Sequence, residues 1–231
     1  MPVLVRTILV FGFLLICISP SALAHKPVSI GGIFSTVDQA LQMKDIDVSQ
    51  VVYSPLSEGH AQLWLTFDAT AGTTLDVSLG IPVLDRLTGY RPQLAVLGPG
   101  LPIADLLIDM PPETGGVVFE SSTAGDPRFF HEHVTGTESW ILIEEAVLLP
   151  ETGTYYVVAW PSGDQIDKLW VAIGKREQFG FRDLLSFPAV IRNAREFHEV
   201  SDESHWSGTV GKVALVTLAA AIIAFLVFRN R

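Results

Sequence analysis

An apolar run close to the carboxyl end limits how this chain can fold more than any other feature. Residues 208–228 are 21 residues long and contain one charge, that of Lys212. A helix of this length spans about 30 Å at about 1.5 Å per residue, which matches the hydrocarbon thickness of a bilayer. We therefore predict a transmembrane helix. Because basic flanks stay on the cytoplasmic side, Arg229 and Arg231 predict a cytoplasmic tail over 229–231.

A second apolar run, at the amino end, has the layout of a secretory signal peptide. A weakly basic start is followed by apolar residues 7–18, by Pro20 and by a small-x-small sequence that ends at Ala24. An uncleaved anchor is the alternative, but Pro20 and its flanking serines interrupt a run that must hold about 20 apolar residues to span. We therefore predict that residues 1–24 are a signal peptide and that cleavage follows Ala24.

The charge of the segment between these runs excludes one class of partner. The chain has 15 basic and 25 acidic residues, and four of the basic ones lie in the terminal segments, so the predicted exported part carries 11 against 25, a net charge of −14. Nucleic acid is excluded because its phosphates need a basic face. The only cysteine, Cys17, lies in the signal peptide, so no disulfide is expected. The prediction is a single-pass protein of the cell membrane with its amino-terminal domain outside the cell or in the periplasm.

The middle of the chain has the pattern of a mainly β protein. Short alternating or β-branched runs are separated by Gly and Pro, which is typical of an antiparallel β-sandwich. We predict a jelly-roll-like sandwich as the exported domain over residues 25–178. Within it Leu63, Leu65 and Phe67 share one strand face because side chains alternate. The candidate strands are 46–53, 61–68, 74–83, 93–97, 116–120, 139–149, 153–160 and 168–174.

Two further segments are predicted to be helical. Residues 35–43 combine capping residues with helix formers, which predicts a short amino-terminal helix. Residues 179–199 carry apolar side chains at spacings near three and four, with a kink or second start at Pro188. This amphipathic juxtamembrane helix either closes the sandwich or lies on the outer leaflet. We favour closure, since an apolar stripe usually covers a core. Residues 200–207 are predicted to be a stalk. The polar side of the helix would hold Arg182, Arg192 and Arg195.

Four segments together form a pattern of strand, Ala-Gly turn and Gly-Thr-Tyr-Tyr strand. They are LWLTFD at 63–68, AGTTLDVSL at 71–79, PQLAVLGP at 92–99 and PETGTYYVVAW at 150–160. Together they resemble the bacterial pre-peptidase C-terminal domain over about residues 46–174. The resemblance implies a β-sandwich module of the kind appended to secreted proteins.

The catalytic motifs that can be recognised in a sequence do not occur here. There is no Gly-x-Ser-x-Gly elbow, His-Glu-x-x-His helix, phosphate-binding glycine loop or dinucleotide fingerprint. We therefore predict a binding or structural module of the cell envelope that is not an enzyme and has no cofactor. Besides the membrane, its partner would be an envelope protein or a glycan.

A His-x-His sequence supports a second hypothesis. In an extended strand His131 and His133 project from one face about 7 Å apart, so both imidazoles can approach one metal ion. His25, the first residue after cleavage, would add an imidazole and an amino nitrogen, donors that suit copper. The alternative function is therefore copper or zinc binding outside the cytoplasm through His25, His131 and His133. The competing interpretation makes His131 and His133 loop residues. Surface or stalk positions are expected for the other histidines, His60, His198 and His205.

Six aromatic residues could form either a ligand platform or part of the core. Flat rings stack on sugars in carbohydrate-binding sandwiches. Trp64, Trp140 and Trp160, however, lie in strands rich in Leu, Ile and Val, which favours the core. The six residues are Trp64, Trp140, Tyr155, Tyr156, Trp160 and Trp170.

Overall fold

A computed structural model describes residues 26–30, 32–104, 106, 108–176, 178 and 181–201. The predicted signal peptide, transmembrane helix and cytoplasmic tail lie outside the described residues, as do His25, His205 and all of the predicted stalk beyond Ser201. Within the described part, none of the helices has the length and apolarity needed to cross a membrane.

The described residues form two β-sheets and one α-helix. The six-stranded sheet has the order β1-β3-β11-β5-β9-β8, and the five-stranded sheet has the order β2-β4-β10-β6-β7. All neighbours are antiparallel except β1 with β3 and β2 with β4, which are parallel. The strands are β1 Lys26–Ile30, β2 Leu41–Gln42, β3 Gln50–Pro55, β4 Leu63–Ala69, β5 Thr74–Pro82, β6 Gln93–Gly98, β7 Gly115–Glu120, β8 Arg128–Glu132, β9 Thr137–Leu148, β10 Gly153–Trp160 and β11 Lys168–Ile173.

The main core lies between the two sheets. Leu63, Leu65 and Phe67 of β4 are at most 1% exposed and pack with residues of β5, β9, β10 and β11. These are the three residues whose alternation predicted an inward face, and all eight predicted strands are present. The prediction of a mainly β fold with two stacked sheets is confirmed. The sequence did not indicate β1, β2 or β8.

The outer face of the five-stranded sheet has its own apolar cluster. Trp64, Ala95, Leu97 and Val158 are completely buried there, under side chains from segments near residues 37–40 and 106–110. The predicted helix over 35–43 is wrong. A 3-10 turn at Val37–Gln39 is followed at once by β2, and Met43 donates its backbone N–H to the Thr66 carbonyl. Pairing with β4 therefore overrides the helix propensity of this segment.

The Gly-Pro-Gly turn after β6 is fixed by Tyr155. Its hydroxyl lies 3.0 Å from the Pro99 carbonyl oxygen and 2.8 Å from the Glu151 carbonyl oxygen, and it accepts a hydrogen bond from the Glu151 N–H. A methyl group on Gly98 would overlap the Tyr155 ring. Two of the segments that carry the family resemblance, 92–99 and 150–160, therefore meet at this turn, and their shared residues serve packing.

The helix α1, Phe181–Phe197, contains Pro188 and packs its carboxyl end on the outer face of the six-stranded sheet. Phe197 lies 4.8 Å from the Tyr53 ring and joins a buried cluster with Trp170, Val51, Ile141 and Ala172. For this end of the helix, the favoured alternative, in which it closes the sandwich, describes the structure.

Arg195 corrects one part of the helix prediction. It was placed on the polar side, but it is only 3% exposed. Nη1 donates to the Thr135 carbonyl at 3.0 Å and Nη2 to the Ser201 carbonyl at 2.6 Å. The chain turns back after the helix, where the Val200 N–H donates to the Arg195 carbonyl. The segment after the helix therefore covers the Arg195 side chain, which helical spacing alone would place in solvent.

Candidate functional site

The predicted His-x-His pair lies at one edge of the six-stranded sheet. His131 is in β8, the last strand of that sheet, and His133 begins the following turn. Their ring centroids are 4.9 Å apart at an interplanar angle of 67°, and both side chains are exposed. In the described part of the chain β8 pairs only with β9, so its other edge faces no strand. The structure thus brings these two predicted residues together at an accessible edge.

A carboxylate, that of Glu138, lies close to the His131 imidazole. Glu138 of β9 faces His131 across the strand pair, and its Oε1 lies 3.5 Å from His131 Nδ1. A hydrogen on Nδ1 of His131 would lie next to this carboxylate and would leave the Nε2 lone pair for another partner. Metal-binding histidines commonly have such an orienting carboxylate.

The spacing of the two rings is compatible with a shared metal ion. With a metal–nitrogen bond of about 2.0–2.1 Å, the ion lies about 3.2 Å from each ring centre. The centres of two rings bound to one ion are then about 4.5 Å apart when the nitrogen–metal–nitrogen angle is a right angle, and about 5.2 Å apart when that angle is tetrahedral. The observed 4.9 Å falls between these two values.

The described part of the chain supplies no third ligand for an ion held by this pair. Among the described residues, no three or more His, Cys, Asp or Glu side chains are grouped so that they could hold a metal ion. His25 lies outside the described residues. Lys26, the next residue, begins β1 at the sheet edge opposite β8, five strand spacings or about 24 Å away. The three-histidine site stays a prediction.

The aromatic residues beside this edge belong to the packing. Phe129, 48% exposed, lies edge-on to Trp140 with ring centroids 5.5 Å apart. Of the six residues weighed as a ligand platform, Trp64, Tyr155 and Trp170 are buried, and the core prediction is confirmed for them. The other three are half-buried, namely Trp140, Tyr156 and Trp160.

His198 is a polar group whose environment was wrongly predicted. It is 5% exposed rather than on the surface. Nδ1 donates to the Ala194 carbonyl at 2.7 Å, and Nε2 accepts from the Ser139 hydroxyl at 3.0 Å. Burial lowers the pKa of His198 to about 4, and the nearby charge of Lys168 also lowers it. The sequence did carry one indication of this burial: His198 follows Ala194 by four residues, so both lie on the face of the helix that packs on the sheet.

The Ser139–His198 pair resembles the nucleophile and base of a hydrolase only in its hydrogen bond. Trp170 Nε1 donates to the Ser139 hydroxyl oxygen at 3.2 Å, and Ser139, like His198, is buried beneath α1. A nucleophile needs a path to its substrate. Here the hydroxyl instead joins the helix to β11, so the pair is a buried structural link.

Four charged residues hold the carboxyl end of α1 on the sandwich, and we call them the helix anchor: Arg86, Asp167, Lys168 and Glu199. Arg86 binds Glu199 through two hydrogen bonds of 2.8 and 2.6 Å and Asp167 through one of 3.0 Å. Lys168 Nζ donates to the Phe197 carbonyl at 2.9 Å and to Glu199 at 2.7 Å. The hydrogen bonds from Arg86 and Lys168 lower the pKa of Glu199 to about 2. A cation at the carboxyl end of a helix also suits its dipole.

Comparisons with known proteins give distant resemblances. No protein-family model matches the chain, and no curated protein is detectably similar in sequence. Solved structures similar to it include the pre-peptidase C-terminal domain of collagenase from Bacillus anthracis, with 13% identity, a TM-score of 0.30, and coverage of 58% of this chain and 93% of that one.

Two proteins described as copper-binding are also similar. CorA, a surface-associated copper-binding protein of Methylomicrobium album BG8, has 12% identity, a TM-score of 0.33, and coverage of 59% of this chain and 98% of that one. MopE, a secreted protein of Methylococcus capsulatus described as copper-binding, has 12% identity, a TM-score of 0.23, and coverage of 50% and 70%.

Proposed function

We propose that this chain is a single-pass, membrane-anchored binding module of the cell envelope, with its sandwich outside the cytoplasm and no catalytic role. The apolar runs at 7–18 and 208–228 support export and anchoring. A continuous core between two sheets supports stability without disulfides. The burial of the Ser139–His198 pair supports binding rather than hydrolysis. The membrane is one partner, and an envelope protein or glycan is the other.

Cell fractionation of the full chain with a carboxyl-terminal tag tests this proposal. We expect the protein to remain in carbonate-washed membranes and its mature amino terminus to be His25. Protease added from outside should digest the sandwich and spare the tag. A cytosolic protein that retains Met1 would refute the proposal.

We further propose, as a second candidate function, that the module binds copper or zinc through His131 and His133. The observation that carries this candidate is the 4.9 Å separation of two exposed imidazoles, a distance compatible with one shared ion. The Glu138 carboxylate beside His131 supports it by orienting that ring. Neutral imidazole is a good ligand for both metals.

Titration of the purified full chain in detergent with Cu²⁺ and with Zn²⁺ tests the second candidate. Replacing either His131 or His133 with alanine should weaken binding at least about tenfold, a loss of about 1.4 kcal/mol of binding free energy. His60→Ala is the matched control, because His60 is also exposed but bonds to Ser35 away from β8. Equal affinities in all four proteins would reject this site. A loss on His25→Ala as well would support the predicted third ligand.

A further inference from the structure

We infer that a metal ion held by His131 and His133 is shared with the same two histidines of a second copy of this chain, so that two β8 edges meet around one ion. This inference rests on the proposed metal site and extends it to four ligands from two chains. Two exposed imidazoles, one on the last strand of a sheet and one at the start of the turn that follows it, are half of such a site.

The number of ligands is the first argument for a second copy. Zinc sites in proteins use four ligands, or three and a water, and copper(II) prefers four in a plane. Among the described residues, no third His, Cys, Asp or Glu is grouped with the pair so that it could hold the same ion. A second copy would supply two more imidazoles with the same spacing.

The position of the pair on an edge strand is the second argument. Side chains directly opposite in an antiparallel strand pair have Cβ atoms about 4.5–5.5 Å apart. If β8 pairs with its own copy about a two-fold axis at His131, that residue faces its counterpart, and the turns that begin at the two copies of His133 lie one on each side of it. Four imidazoles then surround one point, and the symmetric contact closes as a dimer.

The charges along this edge make the contact dependent on the metal. Glu132 and Glu138 lie beside His131, and each copy of the predicted exported part carries 25 acidic against 11 basic residues. Edge pairing without a cation would bring like charges together, which is the way natural proteins discourage such pairing. A divalent cation at the two-fold axis offsets this repulsion. The dimer should therefore form with metal and dissociate without it.

Molar mass and metal content of the full chain in detergent, measured with Zn²⁺ or Cu²⁺ and again after EDTA, test the inference. We expect a dimer with one ion per two chains that returns to monomer in EDTA. His131→Ala and His133→Ala should remain monomeric with metal, and His60→Ala should dimerise like the unmodified chain. Association through the membrane segment is distinguished because EDTA does not reverse it.

The other outcomes separate this inference from the function on which it rests. One ion per monomer, with loss of binding in His131→Ala, would overturn the shared site and leave the metal-binding function standing. No bound metal would overturn both. A dimer that persists in EDTA or in His131→Ala would show that the contact does not use these histidines, and would also overturn the inference.

Discussion

Lowering the pH from 7 to about 4 is expected to remove about 3 kcal/mol of stability through His198 alone. The pKa of this buried imidazole falls from 6.5 to about 4 in the folded protein, because burial disfavours its charged form. The unfolded chain therefore takes up a proton first as the pH falls. The contribution of His198 is complete above pH 6.5, declines through the interval, and levels off near pH 4. Denaturant unfolding at a series of pH values measures it.

The nearby carboxylate of Glu199 leaves this interval to the imidazole. Its pKa is lowered to about 2 by hydrogen bonds from Arg86 and Lys168, so it loses its charge only below the interval. His198→Gln should flatten the dependence between pH 4 and 6.5. His60→Gln is the matched control, because His60 is exposed. An equal slope in the unmodified protein and in His198→Gln would contradict this assignment.

Replacing Trp64 with alanine should lower the free energy of unfolding by about 3–5 kcal/mol, the usual cost of deleting a large buried aromatic side chain. The ring is completely buried, lies edge-on to Tyr156 with centroids 6.2 Å apart, and donates from Nε1 to Gln62 at 2.7 Å. Its loss would leave a cavity between β4 and the segments that cover this face. Chemical denaturation of the full chain in detergent gives the value.

Trp160→Ala is the matched control, since Trp160 lies at the half-buried rim of the same cluster. We expect this variant to lose less than half as much stability as Trp64→Ala, because the half-buried Trp160 side chain removes less apolar surface from water when the chain folds. If Trp64→Ala instead kept its stability and lost affinity for a polysaccharide, the ligand-platform interpretation would replace the core interpretation.

Alternation made most of the sandwich predictable, and contacts between distant segments explain what it missed. β4 alternates apolar inward-facing residues over its length, so periodicity was sufficient there. The sequence of β8 does not alternate between apolar and polar residues, because both faces of this strand contact apolar groups. Phe130 packs near the end of α1 on one face, and Phe129 packs against Trp140 on the other. β2 is two residues long and exists through its pairing with β4.

The candidate site divides in the same way. The proximity of His131 and His133 follows from their spacing of two residues, which is a local property of the chain. The burial of His198 depends on Ser139, 59 residues earlier, and that of Arg195 on the carbonyl of Thr135, 60 residues earlier. Sequence spacing within one helix carries no information about such contacts.

Fixing the end of α1 on the sheet has a consequence for how the whole module is tethered. The described chain ends at Ser201, and the predicted bilayer entry is at residue 208. If residues 208–228 cross the membrane as proposed, only six residues, whose maximum reach is about 20 Å, would join the module to the bilayer. Neighbouring modules in one membrane would then be confined to a thin layer above the lipid. In that layer the edges of two modules would meet far more often than the edges of the same modules free in solution.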